Sequence, residues 1–446
     1  MKKCPLVCLL IFISLITVFS CSGYQKRNET PSVREFLLSY AETHGKSPYA
    51  GTKIKLIHFW VNAEDFFIRF ARDYSEIMGV DLDAEYQPSG LYITGLNTRI
   101  QTETVPEVFT MWPGVSITPY RKANVLLDLT DLDLDCYKTM SATARAACTY
   151  SGRMMVVPVN NSFVGIAYNK AIFARHNLAP PENLADFERI MDVLKTDPTI
   201  MYPMIWGKDT DAYMLYMMQI SILYDKYRDF DERMAANTIN YNNPENQFIY
   251  KKIFIDWPAA GYYNYDNYNG IDRMGMGVLQ FTDGRAAMMN VGNWDMKVLT
   301  ELNENNIPMG MFPVPGIDHS GNVEWAAGEA FAISAKATGD KKAAAIELLN
   351  ILMSPDVNGA ICGIIFSLSP YGDVRLNNPP EMILQLYSYV NDKARGWNVA
   401  PAAFQSKKSE AANILRAPAE NKMNVLNDHL NTLDRIWKEA VIDGKR

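Results

Sequence analysis

The stretch KIKLIHFW at residues 53–60 has the β-branched and aromatic content of a buried strand. Residues 64–78 follow with apolar side chains spaced for one face of a helix, and Gly79 is suited to end that helix. Residues 80–86 predict a second strand, and residues 105–112 (VPEVFTMW) predict a third. Strand, helix and strand in succession indicate a βαβ unit, so we expect an α/β protein with a mainly parallel sheet.

The composition is that of an ordinary globular protein, since 48% of the 446 residues are hydrophobic and 21% are charged. Wholesale disorder, collagen-like structure and coiled coils are excluded on these grounds. At about 150 residues per domain, the length indicates two or three domains. The formal charge of −7 excludes a strongly basic chain, so no nucleic-acid partner is expected.

The N-terminus has the pattern of an export signal. Lys2 and Lys3 precede an apolar run at residues 6–19, which as a helix is too short to span a bilayer of about 30 Å. We therefore expect residues 1–20 to be a signal peptide that is absent from the mature protein. No later stretch is long and apolar enough to predict a membrane-spanning helix.

The end of this signal resembles the cleavage box of bacterial lipoproteins, because VFSC stands at residues 18–21. The resemblance implies that Cys21 carries lipid and that residues 21–47 form a tether. The alternative is an ordinary secretory signal that happens to contain a cysteine.

Three cysteines remain in the body of the chain, and they leave two alternatives open. Either Cys136 and Cys148 form a disulfide in an oxidising compartment, or these two and Cys362 are buried free thiols. The five histidines have no metal-ligand spacing, and the acidic run at residues 131–135 lacks the glycine and glutamate that an EF-hand requires. We therefore expect no metal and no cofactor.

Three sequence blocks carry a family resemblance. They are AYNK at 167–170, FTDGRAAM at 281–288 with GNW at 292–294, and AGEAFAI at 327–333. In this order they resemble the carbohydrate-binding lipoproteins of bacterial ABC importers, the family 1 extracellular solute-binding proteins that include the periplasmic maltose-binding protein. The resemblance covers nearly all of residues 50–370, whereas the rest of the C-terminal region matches only in being helical.

The resemblance implies a type II periplasmic-binding-protein fold, with two α/β lobes that each contain a mainly parallel sheet flanked by helices. The lobes would consist of discontinuous segments, namely 48–158 plus 315–353 for the N-terminal lobe and 159–314 plus 354–446 for the C-terminal lobe. Crossing segments would form the hinge, near residues 158–161, 312–315 and 354.

The function that the resemblance implies is sugar capture without catalysis. A mono- or oligosaccharide would bind between the lobes and be passed to ABC permease subunits. The protein would be a monomer in the cell envelope, facing the periplasm or the exterior, and would contact the membrane through its lipid anchor alone.

A sugar site needs flat aromatic side chains for C–H faces and paired hydrogen-bonding groups for hydroxyls. Trp60, Trp112 and Trp294 each follow a predicted strand, where ligands of open α/β sheets bind. Each tryptophan alone is as consistent with a core position, but three at strand ends favour the cleft. Asn62 and Glu64 follow Trp60 in a segment that resembles the family's first sugar-contacting loop.

Further polar candidates lie at the expected hinge. Asn160, Asn161 and Ser162 interrupt an apolar stretch, which indicates either a plain turn or a ligand contact. Glu329 stands where the family often has glycine, so it either accepts hydrogen bonds from the sugar or lies on the surface. WPG at residues 112–114 replaces an aspartate of maltose-binding relatives, which argues against maltose itself.

Residues 202–268 contain eleven tyrosines, and their role has two interpretations. The tyrosines form a carbohydrate or peptide contact surface, or they pack beneath a solvated loop.

Three other functions remain open at this stage. The same fold could bind a polyamine or a peptide, and it could serve as a surface adhesin that has lost transport. A secreted glycoside hydrolase would require two carboxylates about 5–10 Å apart across the bound sugar.

Overall fold

The structure, a computed structural model, describes residues 32–114, 117–207, 210–263, 265–323, 326–374, 379–390 and 407–445. The expected signal peptide and the expected lipidation site at Cys21 lie outside these residues.

The first of two large sheets is built around the predicted βαβ unit. Lys53–His58 pairs in parallel with Asp81–Tyr86 and with Val108–Met111. Ala330–Ile333 enters the same sheet antiparallel to its neighbours, after the chain has passed through the rest of the molecule. The spatial order is Asp81–Tyr86, Lys53–His58, Val108–Met111, Ala330–Ile333 and Val157–Pro158.

The helix Glu64–Met78 covers one face of this sheet, as its apolar spacing predicts. Phe67, Phe70 and Tyr74 are at most 2% exposed. Each such side chain removed from water contributes about 1.5–3 kcal/mol, so packing rather than intrinsic helix propensity stabilises the unit.

The second large sheet is mixed as well. Val164–Asn169 is antiparallel to Ala286–Gly292 and to Met309–Phe312, while Tyr202–Met204 is parallel to Ala286–Gly292. Each sheet has its own buried core, which confirms an α/β architecture with two lobes. Among the strands of each large sheet, all but one run in the same direction. The exceptions are Ala330–Ile333 in the first sheet and Val164–Asn169 in the second.

Helices flank both sheets. Those packed on the first are Val33–His44, Glu64–Met78, Ser89–Gln101, Thr118–Lys122, Ala142–Cys148, Gly339–Leu352 and Pro355–Ile364. The others are Lys170–Arg175, Leu184–Leu194, Thr210–Met218, Tyr224–Lys226, Phe230–Ala235, Pro244–Lys251, Trp257–Ala259, Tyr265–Gly270, Val278–Thr282, Met296–Glu301, Glu381–Tyr387, Asn413–Arg416 and Lys422–Lys445. None of the helices in the described ranges combines the length and hydropathy that a membrane span requires.

The predicted tether is shorter than expected, because part of residues 21–47 is folded. Ser32 and Glu35 form a capping box that starts the helix Val33–His44, and Leu37 is fully buried in the first core. Arg34 also forms an ion pair with Asp73 at 2.8 Å. This helix therefore belongs to the first lobe.

The second and third chain crossings also differ from expectation. Val314 still packs in the second lobe, and the chain joins the first core only at Ala327. The helix Pro355–Ile364 was expected in the second lobe, yet it buries Val357 and Ile361 in the first. The chain contacts the second lobe at Phe366 and Leu368 but leaves the first core only after Val374. The proline at 355 therefore begins a helix instead of marking a change of lobe.

The three cysteines are buried free thiols, which decides against the disulfide alternative. Burial raises the pKa of Cys136 to about 12 and raises the pKa of Cys148 and of Cys362 further. Such thiols are unreactive near neutral pH.

Candidate functional site

The crossing segments meet between the two large sheets in a small antiparallel ribbon. Its strands are Asn161–Ser162 and Ala326–Ala327. Gly328 allows them to approach closely, since a Cβ at this position would lie 1.9 Å from Ser162 Oγ. The ribbon is therefore the place where the backbones of the two lobes are joined.

Asn160 links all three crossings by hydrogen bonds. Its carbonyl oxygen accepts from the Gly328 N–H at 2.9 Å, and its Oδ1 accepts from the Glu329 N–H at 2.9 Å. Its Nδ2 donates to Ser367 Oγ at 2.7 Å, on the third crossing segment. Asn160 is completely buried, so it acts as a structural centre of the hinge in this conformation.

Neighbouring residues strengthen this connection. Ser367 Oγ donates to the Asn161 carbonyl at 2.7 Å, and the Tyr371 hydroxyl donates to the Pro158 carbonyl at 2.5 Å. Asn161 and Ser162 are 2% and 3% exposed. The polar break that sequence analysis singled out thus holds the hinge together, with little surface open to a ligand.

Glu329 lies in the same cluster, and its carboxyl group has neutral neighbours. Ser162 Oγ donates to Glu329 Oε2 at 3.5 Å, and the side chains of Asn160 and Trp60 also interact with it. Burial raises the pKa of Glu329 to about 7, an effect that these three neighbours only partly oppose. Among the described residues, no lysine or arginine is one of the groups that shift the pKa of Glu329. It is 9% exposed, so the surface alternative does not hold.

Trp60 packs in the first core. Its ring stacks on Phe67 with centroids 5.8 Å apart and meets Phe331 edge-on at 5.5 Å. Because only 7% of Trp60 is exposed, its indole supports the hinge cluster instead of offering an open face. This is the core alternative that sequence analysis left open for a single tryptophan.

The other first-lobe candidates are more accessible. Asn62 lies in the short turn Val61–Ala63, Glu64 begins the following helix, and both are half-buried. Trp112 is also half-buried and stacks on Phe59 with centroids 4.2 Å apart. Each of these three side chains keeps part of its surface exposed.

In the second lobe, Trp294 is the most open of the predicted tryptophans, with 36% of its surface exposed. Its indole lies over Gly292, where a Cβ would be 2.4 Å from the ring. The preceding Asn293 exchanges backbone and side-chain hydrogen bonds with Phe163 at 3.2 and 3.3 Å, directly after the hinge ribbon. Trp294 is thus positioned beside the hinge.

Three residues that sequence reasoning missed surround Trp294. The ring of Tyr213 lies 6.0 Å from that of Trp294 at an interplanar angle of 37°. Arg273 lies over the Tyr213 ring at 4.7 Å and forms a buried ion pair with Asp295 at 2.6 Å. No local motif marks Arg273 or Tyr213, but Asp295 directly follows the GNW block and was recognisable by that position.

The tyrosine-rich region is mostly packed. Tyr241, Tyr250, Tyr262, Tyr263 and Tyr268 are at most 6% exposed, and they belong to the second core. These five tyrosines are therefore packed side chains, as the second interpretation proposed, although helices rather than a solvated loop cover them.

No set of His, Cys, Asp and Glu side chains in the described part of the chain is arranged to hold a metal ion. The chemistry that the site offers is aromatic stacking and hydrogen bonding around a polar hinge.

Comparison with known proteins gives one family. The family model described as bacterial extracellular solute-binding protein matches residues 70–380. An uncharacterised ABC transporter extracellular-binding protein of Pyrococcus horikoshii is 23% identical over 323 residues, which are 71% of each chain. A melibiose/raffinose/stachyose-binding protein of Bacillus subtilis is 24% identical over 196 residues, 42% of this chain and 43% of that protein.

A solved structure shows the same two-lobed fold. A solute-binding protein in complex with raffinose is similar with a TM-score of 0.67 at 19% identity, covering 86% of this chain and 100% of that chain.

Proposed function

Because the chain belongs to the bacterial extracellular solute-binding proteins, we propose that it captures a carbohydrate between its lobes and delivers it to an ABC permease. The family also indicates an envelope or extracellular location. Relatives that bind melibiose, raffinose or stachyose support a sugar over the polyamine or peptide alternatives.

The observation that carries this proposal is the aromatic surface of Tyr213 and Trp294 beside the hinge. Trp294 is 36% exposed although its neighbours Asn293 and Asp295 are each 2% exposed. An indole that is held this firmly and still faces solvent is suited to stack on the C–H face of a sugar ring. An oligoamine would instead be held mainly by acidic groups.

The first lobe would complete the site from the other side. Asn62 and Glu64 provide groups that hydrogen-bond hydroxyls, and Trp112 provides a second aromatic face. A sugar that contacts both lobes binds the closed form more strongly than the open form, so it shifts the population toward closure. The buried hinge residues would support the site without contacting the sugar, by holding the crossing segments together. They are Trp60, Asn160, Asn161, Ser162 and Glu329.

The proposal assigns no catalysis to this site. Retention of the intact sugar after prolonged incubation is the expected result, and release of shorter sugars would support the glycoside hydrolase alternative instead.

We further propose that the mature protein is a monomer tethered through acylated Cys21. Mass spectrometry should find a diacyl or triacyl mass on Cys21, and an unmodified N-terminus at Ser22 would contradict the anchor.

Calorimetric titration of the purified chain against raffinose, melibiose, a chitin oligosaccharide and spermidine tests the binding proposal. A saccharide should bind, and Trp294→Ala should weaken it by at least about tenfold, as truncation of a central interface tryptophan does. Met423→Ala is the matched control, because Met423 is 39% exposed on the C-terminal helix, and its affinity should be unchanged. Spermidine binding alone, or full affinity in Trp294→Ala, would overturn the proposal.

A further inference from the structure

The guanidinium of Arg273 is enclosed by groups from three parts of the second lobe. Its Nη1 donates to Asp295 Oδ2 at 2.6 Å and to the carbonyl of Asn290 at 3.3 Å. Its Nη2 lies 3.4 Å from the Tyr213 hydroxyl, and the group as a whole lies 4.7 Å from the centre of that ring. Arg273 is 4% exposed, so it has little direct access to a ligand.

Asp295 connects the same ion pair to the backbone that carries Trp294. Its Oδ2 accepts from the Gly292 N–H at 2.8 Å, which closes the turn Asn293–Asp295. Trp294 is the middle residue of this turn, and its ring lies over Gly292. A single carboxylate oxygen therefore contacts both the arginine and the turn under the indole.

The two aromatic residues come from separate elements. Tyr213 belongs to the helix Thr210–Met218, and Trp294 follows the strand Ala286–Gly292. The Arg273–Asp295 pair lies between these elements and contacts both. A buried ion pair is weak evidence for a role in stability, because loss of hydration offsets much of the attraction. Its planar, fixed geometry is instead suited to positioning.

We propose that Arg273 and Asp295 are positioning residues that hold Tyr213 and Trp294 as one preformed stacking surface for a saccharide. The inference rests on the proposed carbohydrate function for its ligand. A surface that is ordered before binding does not lose side-chain freedom on binding, so affinity depends on the pair although neither residue stacks on the sugar.

The first test measures the free protein. The test is quenching of Trp294 fluorescence by acrylamide. For each variant, the Trp294 signal is the difference in fluorescence between the protein that has Trp294 and the same protein with Trp294→Phe. Arg273→Lys keeps the charge and loses the planar fork, so quenching of Trp294 should increase. Arg189→Lys is the matched control, because Arg189 is 58% exposed in its ion pair with Asp186 and its replacement should leave the quenching unchanged.

The second test measures affinity for the saccharide selected in the titrations. Arg273→Lys and Asp295→Asn should each weaken binding about tenfold. In the Trp294→Ala background, Arg273→Lys should weaken binding by less than half of that effect on a logarithmic scale, because the residue acts through Trp294. A general loss of stability would instead add fully to the Trp294→Ala defect.

The two tests separate this inference from the proposed function. If no saccharide binds the wild type, the proposed function fails, while the quenching experiment still decides whether the pair orders Trp294. Unchanged quenching in both Arg273→Lys and Asp295→Asn, or fully additive losses of affinity, would overturn the positioning role. Asp295→Asn keeps an oxygen acceptor for the Gly292 N–H, so it provides the answer if Arg273→Lys does not fold.

Discussion

Two buried carboxyl groups, those of Asp295 and Glu329, are stabilised in opposite ways. Asp295 is 3% exposed in its side chain and has Arg273 at 2.6 Å, so a full positive charge compensates its burial. Glu329 is also buried, but it contacts the neutral side chains of Asn160, Ser162 and Trp60. One site is an ion pair and the other is a solitary acid.

The two sites differ in what compensates the buried carboxyl group. A neighbouring arginine favours the charged form of a carboxylate. Burial without a cation instead raises the pKa of Glu329 to about 7, so the charge of this group changes near neutral pH. The aromatic surface thus rests on an ion pair, whereas the hinge contains an acid whose charge changes near neutral pH.

Breaking the ion pair should have the largest effect. Asp295→Ala leaves the buried Arg273 without its carboxylate, and we expect the free energy of unfolding to fall by about 3–5 kcal/mol. Urea denaturation at neutral pH measures this change. The joint replacement Arg273→Met with Asp295→Leu should lose much less, because no uncompensated charge remains. Equal losses in the single and joint variants would contradict this explanation.

Glu329→Gln should remove a pH dependence of the free energy of unfolding that arises from the titration of Glu329. The folded-state pKa of about 7 exceeds the ordinary value of 4.5, so protonation of Glu329 favours the folded state. Its contribution to stability is fully present below pH 4.5 and is lost as the pH rises through 7. The free energy of unfolding of Glu329→Gln, measured relative to that of the wild type, should therefore increase by about 2 kcal/mol from pH 5 to pH 8.

Urea denaturation of both proteins at several pH values measures this difference. Taking the difference between the two proteins cancels other titrating groups, such as His58 and His429, whose burial lowers the pKa to about 4. A constant difference across this pH range would show that the hinge carboxyl does not titrate as inferred.

Ser162→Ala should have the smallest effect and tests the neutral surroundings directly. Its hydroxyl donates to Glu329 Oε2 at 3.5 Å and opposes the raised pKa, so removing it should raise the pKa of Glu329 further. We expect a stability change at pH 8 of less than about 1 kcal/mol, given the length of this hydrogen bond. The change should be smaller in the Glu329→Gln background, where Ser162 Oγ still accepts from Asn160 Nδ2 at 3.4 Å. An equal change there would assign the effect to that contact or to packing.

Much of the first lobe could be predicted from local patterns. The helical spacing of residues 64–78 places Phe67, Phe70 and Tyr74 in the core, because both helix period and burial are local consequences of the sequence. The two lobes, by contrast, were expected from the family resemblance that the ordered blocks carry. The capping box at Ser32 and Glu35 was also readable, although the expected tether extended past it.

The errors concern residues whose role depends on distant partners. Pro355 begins a helix in either lobe, so its local signal could not show that Val357 and Ile361 pack in the first core. Likewise, a strand-end tryptophan has the same appearance in a core and in a cleft. Phe67 and Phe331 enclose Trp60, whereas Trp294 stays partly exposed.

Local sequence was enough to predict the α/β class, the βαβ start and the polar character of the hinge, because periodicity and residue type act over short distances. Which buried carboxyl group contacts a cation depends instead on how distant segments pack together. Asp295 and Arg273 are separated by 22 residues and meet across folded elements, while Glu329 is 169 residues from Asn160 and meets no cation among the described residues. Charge compensation depends on distances of a few ångströms, and those distances are set by packing of the whole chain.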